Sequence, residues 1–228
     1  MIYKIIINKR DKDVERMLQI LLRAKNLNCS KIERFLKMGS LIIYPTDTVY
    51  GLGGIIDSKE VLEKIYAVKE REVKYPLVAL ISQKEKVYEV ANVSVAKKKV
   101  VNKLIEAFWP GALTIILKKK DIILKDMVSN GETIGVRMPN HEVALKIIES
   151  VGGILATTSA NISGEPSPIK FSEVSKKIKS RVDLIVEDNS PLVGIESTII
   201  DLSGRKIKIL RNGAITSDEI EAIIGEIE

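Results

Sequence analysis

Residues 156–168 read ATTSANISGEPSP, and the fold turns on what this run is. As a flexible linker, its five hydroxyl residues, glycine and two prolines would divide the chain between two domains. As the polar end of a strand, the same residues would line a cleft inside one domain. The apolar pair Ile154 and Leu155 leads straight into the run. In an extended segment Thr157 and Ser159 would face the same side, and Gly164, Pro166 and Pro168 would shape a turn. Composition alone favours the linker.

Outward from this run, strand and helix patterns intermix. Residues 2–8 read as a strand rich in β-branched side chains and 14–24 as a helix. Ser30 and Glu33 form a capping-box pattern ahead of Ile32, Phe35 and Leu36, and Gly39 ends that helix. Residues 41–44 make a short buried-type strand stopped by Pro45, and Ser58 caps a helix to about 68 with Val61, Leu62, Ile65 and Tyr66 on one side. Further strands are expected at 76–81, 113–117, 133–137, 153–158, 184–186, 197–202 and 207–210, with helices over 84–107, 141–150, 171–180 and from 217. The order has no strict βαβ rhythm, and its last third is strand-dense. That predicts an α/β fold of the α+β type, with a twisted mixed parallel and antiparallel sheet flanked by helices.

A chain of 228 residues with 45% hydrophobic and 29% charged side chains is that of a globular protein with a sizeable core. Lys and Arg exceed Asp and Glu by 36 to 30, a net +6 that suits phosphates or nucleic acid; unselective surface lysine is the plainer reading. Cys29 is alone, so no internal disulfide forms, and a reducing, cytoplasmic setting is expected. No apolar run reaches about 18 residues, as a membrane helix requires, and the N-terminus lacks a signal-peptide pattern.

Several chemistries are excluded. His141 is the only histidine and no cysteine cluster exists, which rules out His-rich or Cys-rich zinc sites. A Ser-His-Asp hydrolase would have to use His141, which follows Pro139 and Asn140 at a helix start, a position more typical of capping or surface. Gly51, Gly53 and Gly54 suggest a nucleotide loop, but Ile56 stands where G-x-G-x-x-G needs its last glycine, and no G-x-x-x-x-G-K-[ST] loop occurs.

Polar clusters remain at the ends of apolar strands. YPTDTVYGLGG (44–54) places Thr46, Asp47 and Thr48 beside glycines that would let a ligand approach the backbone. In KEREVKYP (69–76), Lys69 and Arg71 would point the same way if extended, an arrangement useful around a polyphosphate. TIGVRMPNH (133–141) sets Arg137 at a strand end, where its planar fork suits a carboxylate or phosphate. GIESTIID (194–201) and ILRNGAI (209–215) add hydroxyls and Arg211. Each alone reads as a turn or a solvated helix end; together they suggest one cleft for oxyanions.

Taken together, PTDTVYGLGG, the K-x-R of Lys69 and Arg71, GVRMP, SANISGEPSP, ESTIID and ILRNG resemble, in family order, the YrdC/YciO-like family of threonylcarbamoyl-AMP synthases in tRNA modification. The resemblance runs from about 41 to 215. It implies a single YrdC-like domain over 1–228, with a core of about 28–215 and an N-terminal strand–helix extension over 1–27. It implies that L-threonine, bicarbonate and ATP give L-threonylcarbamoyl-AMP, pyrophosphate and water. A separate tRNA threonylcarbamoyl transferase would place the product's group on adenosine 37 of tRNAs reading ANN codons. By the same resemblance, Lys69, Arg71, Ser159 and Asn161 form the catalytic basic and polar set. Arg71, Thr133, Ser159, Ser167 and Arg211 contact ATP; Thr48, Arg137, Thr157 and Ser197 contact threonine. Mg²⁺ would be held by ATP's phosphates and not by protein side chains, in keeping with the absence of a carboxylate cluster. No protein nucleophile is required, since the threonine amine and then the carbamate attack, and catalysis would rest on positioning and charge neutralisation.

Two positions depart from the family pattern. Leu80 stands where many members carry His, and Tyr75 where an Asn often precedes Pro-Leu. A paralogue with altered amino-acid specificity is therefore one alternative. The other is a protein of the same fold that binds double-stranded RNA or tRNA by phosphate contacts, although 4% aromatic residues argues against base stacking. Under the resemblance ATTSANISGEPSP becomes a cradle, with Thr157 facing threonine and Ser159 and Ser167 facing ATP.

Overall fold

A computed structural model describes residues 4–7, 18–23, 27–72, 75–188 and 190–227 of the chain. Its strands are β1 (Lys4–Ile7), β2 (Leu18–Arg23), β3 (Ile42–Tyr44), β4 (Gly51–Gly54), β5 (Val78–Ile81), β6 (Ala91–Asn92), β7 (Leu113–Lys119), β8 (Thr133–Arg137), β9 (Ile154–Ser159), β10 (Leu184–Glu187), β11 (Thr198–Asp201) and β12 (Lys208–Arg211). All join one sheet in the order β1-β2-β10-β3-β4-β9-β5-β8-β7-β11-β12, with β6 paired to β7. The pairs β2/β10, β10/β3, β5/β8 and β7/β11 are parallel and the others antiparallel. The expected mixed sheet is present.

Helices cover the sheet unequally. On one face lie α2 (Lys59–Lys69), α4 (Val95–Phe108) and α7 (Ser217–Ile224). Their Val61, Ile65, Val101, Leu104 and Ile220 pack in one core with Leu52, Ala79, Ile115, Val136 and Ile200. The other face carries α1 (Cys29–Lys37) and α5 (Glu142–Ser150), whose Ile32, Leu36, Ala144, Ile147 and Ile148 bury Ile42, Tyr44, Leu80, Leu155 and Leu184. Period-2 alternation explains the split, since Ile42 and Tyr44 go to one core and Ile43 to the other. Beyond α1 and α5 this second face is open, and polar side chains of β7, β8 and β9 stand on it. That opening is the cleft.

Most expected elements form, with four corrections. Residues 18–23, expected within a helix, are the strand β2, paired with β1 and β10; residues 14–17 and 24 lie outside the described residues. The apolar run Ile20-Leu21-Leu22 is short enough to fit either period, and pairing on both edges decides for a strand. The described residues of the N-terminal extension before residue 24 are therefore two strands, 18–23 being strand where helix was expected, and they join the main sheet. α1 is capped by Asn28, whose Oδ1 accepts from Lys31 N at 2.9 Å, and not by Ser30; Gly39 at φ +86° ends it as expected. The helical segments expected over 84–107 form as a 3₁₀ turn, α3 (Val87–Val90) and α4, but with the unexpected strand β6 between α3 and α4, where it pairs with Lys118 and Lys119. The helix expected over 171–180 is a 3₁₀ turn followed by α6 (Lys176–Lys179), capped by Ser175. Among the described residues, no helix is long and apolar enough to cross a membrane.

Candidate active site

The open face holds a cavity of about 270 Å³ whose lining includes Thr48, Arg71, Arg137, Thr157, Ser159, Ser197 and Arg211. Seven of the eleven expected site residues thus meet in one place, from six separate segments. Lys69, Asn161, Ser167 and Thr133 do not line it.

Pro45 ends β3, and the TDT turn follows. Thr46 Oγ1 donates to Val49 O at 2.6 Å and accepts from the amides of Thr48 and Val49, a local bond set typical of a threonine turn. The turn presents Asp47 and Thr48 to Arg137 at the end of β8. Arg137 donates from Nε to Gly111 O and from Nη1 to Thr48 Oγ1, both at 2.9 Å, and from Nη2 to Asp47. Burial lowers the Arg137 pKa from its ordinary value, and the Asp47 charge opposes that shift.

Gly51 and Gly53 also make room inside the sheet. A Cβ on Gly51 would lie 3.2 Å from Thr157 Cγ2 and 3.5 Å from the Tyr44 ring. One on Gly53 would lie 2.8 Å from Ala156 O. The crowding at both glycines is against β9, and Tyr44 reaches past Gly51 to place its hydroxyl 2.7 Å from Thr157 Oγ1. Gly51 lines the cavity.

Lys69 and Arg71 are not side by side on an extended segment. Lys69 is the last residue of α2, and Glu70 at φ +53° reverses the chain. Arg71 therefore faces the cavity, donating to Thr158 Oγ1 at 2.8 Å, while Lys69 turns beneath the 159–161 segment. Its Nζ donates to Asn161 O at 2.8 Å, Asn161 Oδ1 at 3.1 Å and Ser159 O. Burial, and then the charge of Arg71, pull Lys69 down to about 7 from 10.5.

The run 156–168 is not a flexible linker. Its first residues belong to β9, and the rest is tied down on both sides. Ala160 N donates to Tyr50 O, Tyr50 N to Pro168 O and Ser163 N to Lys69 O, at 2.8, 2.8 and 2.9 Å. Asn161 Nδ2 bonds Glu165 O, closing the turn from within. Ser167 donates to Glu196 Oε1 at 2.6 Å, and the other Glu196 oxygen accepts from Arg211. Ser167 thus reaches the cavity wall through Glu196. Thr133 begins β8, on the same face as Gly135 and Arg137 but about 13 Å along the strand from Arg137 at ~3.3 Å per residue.

Sequence reasoning missed Glu196, Tyr44, Thr158 and Thr114 as site residues, and noted Asp47 without its partner. Thr114 pairs with Ser197 at 2.8 Å and, like Thr158 and Glu196, lines the cavity. A lone carboxylate such as Glu196 carries no local signal for an arginine 15 positions away. His141 occupies the N-cap position of α5 without a side-chain capping bond and stands 3.5 Å from Asp188, outside the cavity lining. Among the described residues no group of three His, Cys, Asp or Glu side chains is arranged to hold a metal ion.

The family model Sua5_yciO_yrdC, described as telomere recombination, matches residues 34–213. The chain belongs to the Sua5/YciO/YrdC family.

Family relatives share the cleft-bearing part. The chain is 36% identical over 193 residues to a threonylcarbamoyl-AMP synthase of Pyrococcus abyssi, covering 85% of this chain and 56% of the relative. It is 37% identical over 193 residues to one of Bacillus subtilis, covering 84% and 55%. A crystal structure of P. abyssi Sua5 complexed with L-threonine superposes with a TM-score of 0.83 at 34% identity, over 91% of this chain and 61% of that one. The chain spans little more than half the length of these two curated relatives.

Proposed function

We propose that this chain is an L-threonylcarbamoyl-AMP synthase, converting L-threonine, bicarbonate and ATP into L-threonylcarbamoyl-AMP, pyrophosphate and water. The observation that carries this reading is one cavity lined by three arginines, each hydrogen-bonded to a hydroxyl residue: Arg71 to Thr158, Arg137 to Thr48 and Arg211 to Ser197. The relatives named as threonylcarbamoyl-AMP synthases support it.

The arginines divide by depth. Arg137 is 6% exposed, so it suits the compact carboxylate of threonine, with Thr48, Thr157 and Ser197 around the amino acid. Arg71 and Arg211 are more open and suit the polyphosphate of ATP, joined by Ser159 and by Ser167 through the Glu196 wall. Thr133 shares the face of β8 with Arg137 across Gly135, and would meet the end of an elongated nucleotide away from the threonine carboxylate. Lys69 holds Ser159 and Asn161 from below, so its part is to position the phosphate-side loop. The threonine amine attacks the carbon of bicarbonate or CO₂, the carbamate oxygen attacks the α-phosphorus, and pyrophosphate leaves. The arginines stabilise the charge that develops there. Mg²⁺ arrives as part of the ATP substrate. The cleft carboxylates Asp47 and Glu196 each bond an arginine, a donor set that fits coordination by phosphate oxygens and not a resident metal.

The product passes to a tRNA threonylcarbamoyl transferase in the cytoplasm, a setting that free Cys29 suits. Pyrophosphate release from ATP and bicarbonate, with and without L-threonine, tests this reading; release indifferent to threonine rejects it. One observation favours a second reading, direct contact with tRNA or double-stranded RNA. A cavity of about 560 Å³, apart from the cleft, is lined by Lys97, Lys118 and Arg205 and by no carboxylate. RNA binding that weakens steeply with salt, without adenylate formation, would promote it.

A further inference from the structure

We infer that Tyr44 is a positioning residue: it donates its hydroxyl proton to Thr157 and so holds the Thr157 hydroxyl as a donor to an acceptor oxygen of the amino-acid ligand. The inference rests on reading the cleft as the threonine site.

Tyr44 is fully buried, and its ring lies against the Gly51 backbone. Its hydroxyl stands 2.7 Å from Thr157 Oγ1, the one partner that the described residues offer it. A buried phenol must place its proton on an acceptor, and burial raises the Tyr44 pKa, which keeps that proton in place. Were Thr157 the donor, the Tyr44 proton would have no acceptor. The direction therefore runs from Tyr44 to Thr157. The proton of Thr157 itself then has only Leu155 O at 3.4 Å, near the limit of a hydrogen bond. Thr157 lines the same cavity as Arg137 and Thr48, so a ligand oxygen beside the guanidinium takes that proton in place of Leu155 O. Gly51 and Gly53 leave room for Thr157, since a Cβ at Gly51 would lie 3.2 Å from its Cγ2 and one at Gly53 3.1 Å from its Oγ1.

The test is a double-mutant cycle on the full chain with Tyr44→Phe, Thr157→Val and both, read by calorimetric binding of L-threonine and of ATP and by melting. Tyr44→Phe is expected to weaken L-threonine binding about three- to tenfold, the range for loss of one neutral hydrogen bond, with ATP binding changed less than about twofold. Adding Tyr44→Phe to Thr157→Val is expected to cost no further threonine affinity. It should also recover part of the melting temperature lost in Thr157→Val, where the phenol is stranded. Additive losses of threonine affinity, or an unchanged affinity in Tyr44→Phe, overturn the inference. A wild-type chain that does not bind L-threonine overturns the functional reading, while the melting cycle still decides whether Tyr44 acts through Thr157.

Discussion

Arg137 and Asp47, 90 positions apart in the chain, form an ion pair whose side chains are 7% and 11% exposed. The guanidinium gives one N–H each to Asp47, Thr48 and Gly111, which leaves one on each terminal nitrogen. A ligand carboxylate thus meets a cation already oriented by its neighbours. That preorganisation lowers the reorganisation needed when charge is bound.

Removing Asp47 strands the buried guanidinium. Asp47→Ala is expected to lower unfolding stability by about 3–5 kcal/mol, the cost of breaking a buried pair from one side. Saturating L-threonine should raise the melting temperature of this variant more than that of the wild type, because the ligand carboxylate replaces the missing charge. An equal or smaller shift would contradict Arg137 as the carboxylate partner.

Arg137→Lys keeps the charge and loses the planar fork. Steady-state kinetics should show KM for L-threonine rising about tenfold or more, as loss of a charge-assisted bidentate contact implies. KM for ATP should rise far less. Equal rises would place Arg137 between both substrates.

Gly53→Ala puts a methyl group 2.8 Å from Ala156 O and 3.1 Å from Thr157 Oγ1. Denaturant unfolding should show a loss of about 1–3 kcal/mol, typical of overpacking, together with weaker threonine binding. Wild-type stability in this variant would mean that β4 and β9 can separate without cost.

Lys69 titrates well below a free lysine. Its folded value of about 7 lies under the ordinary 10.5, so between these two values the unfolded chain binds the extra proton. The Lys69 contribution to stability therefore rises with pH across that window and is flat below it. The difference in melting temperature between wild type and Lys69→Met, followed from pH 6 to 10, should move in favour of the wild type as pH rises. A pH-independent difference contradicts the burial of a readily deprotonated amine.

The fold was legible where local pattern and tertiary demand agree. The short buried-type strand at Ile42–Tyr44, the Ser58 cap and the strand of Thr133–Arg137 all form as read. It was not legible in 18–23, where Ile20 to Leu22 fit either period and only β10, far along the chain, selects the strand. For the site, the family resemblance of the motifs pointed to Arg71, Arg137, Thr157, Ser159 and Arg211, which line one cavity. The motifs could not say that Glu70 would take a left-handed turn and send Lys69 under the loop. Nor could they say that Gly53 packs directly against the Ala156 carbonyl of β9. Such relations are set by contacts between segments, and a single sequence carries no local trace of them.

The most direct test of the account is pyrophosphate release from ATP in bicarbonate buffer by the full chain, with and without L-threonine. The account predicts release that depends on both bicarbonate and L-threonine and falls sharply in Arg137→Ala. Release that proceeds equally without L-threonine, or that survives Arg137→Ala unchanged, would contradict it.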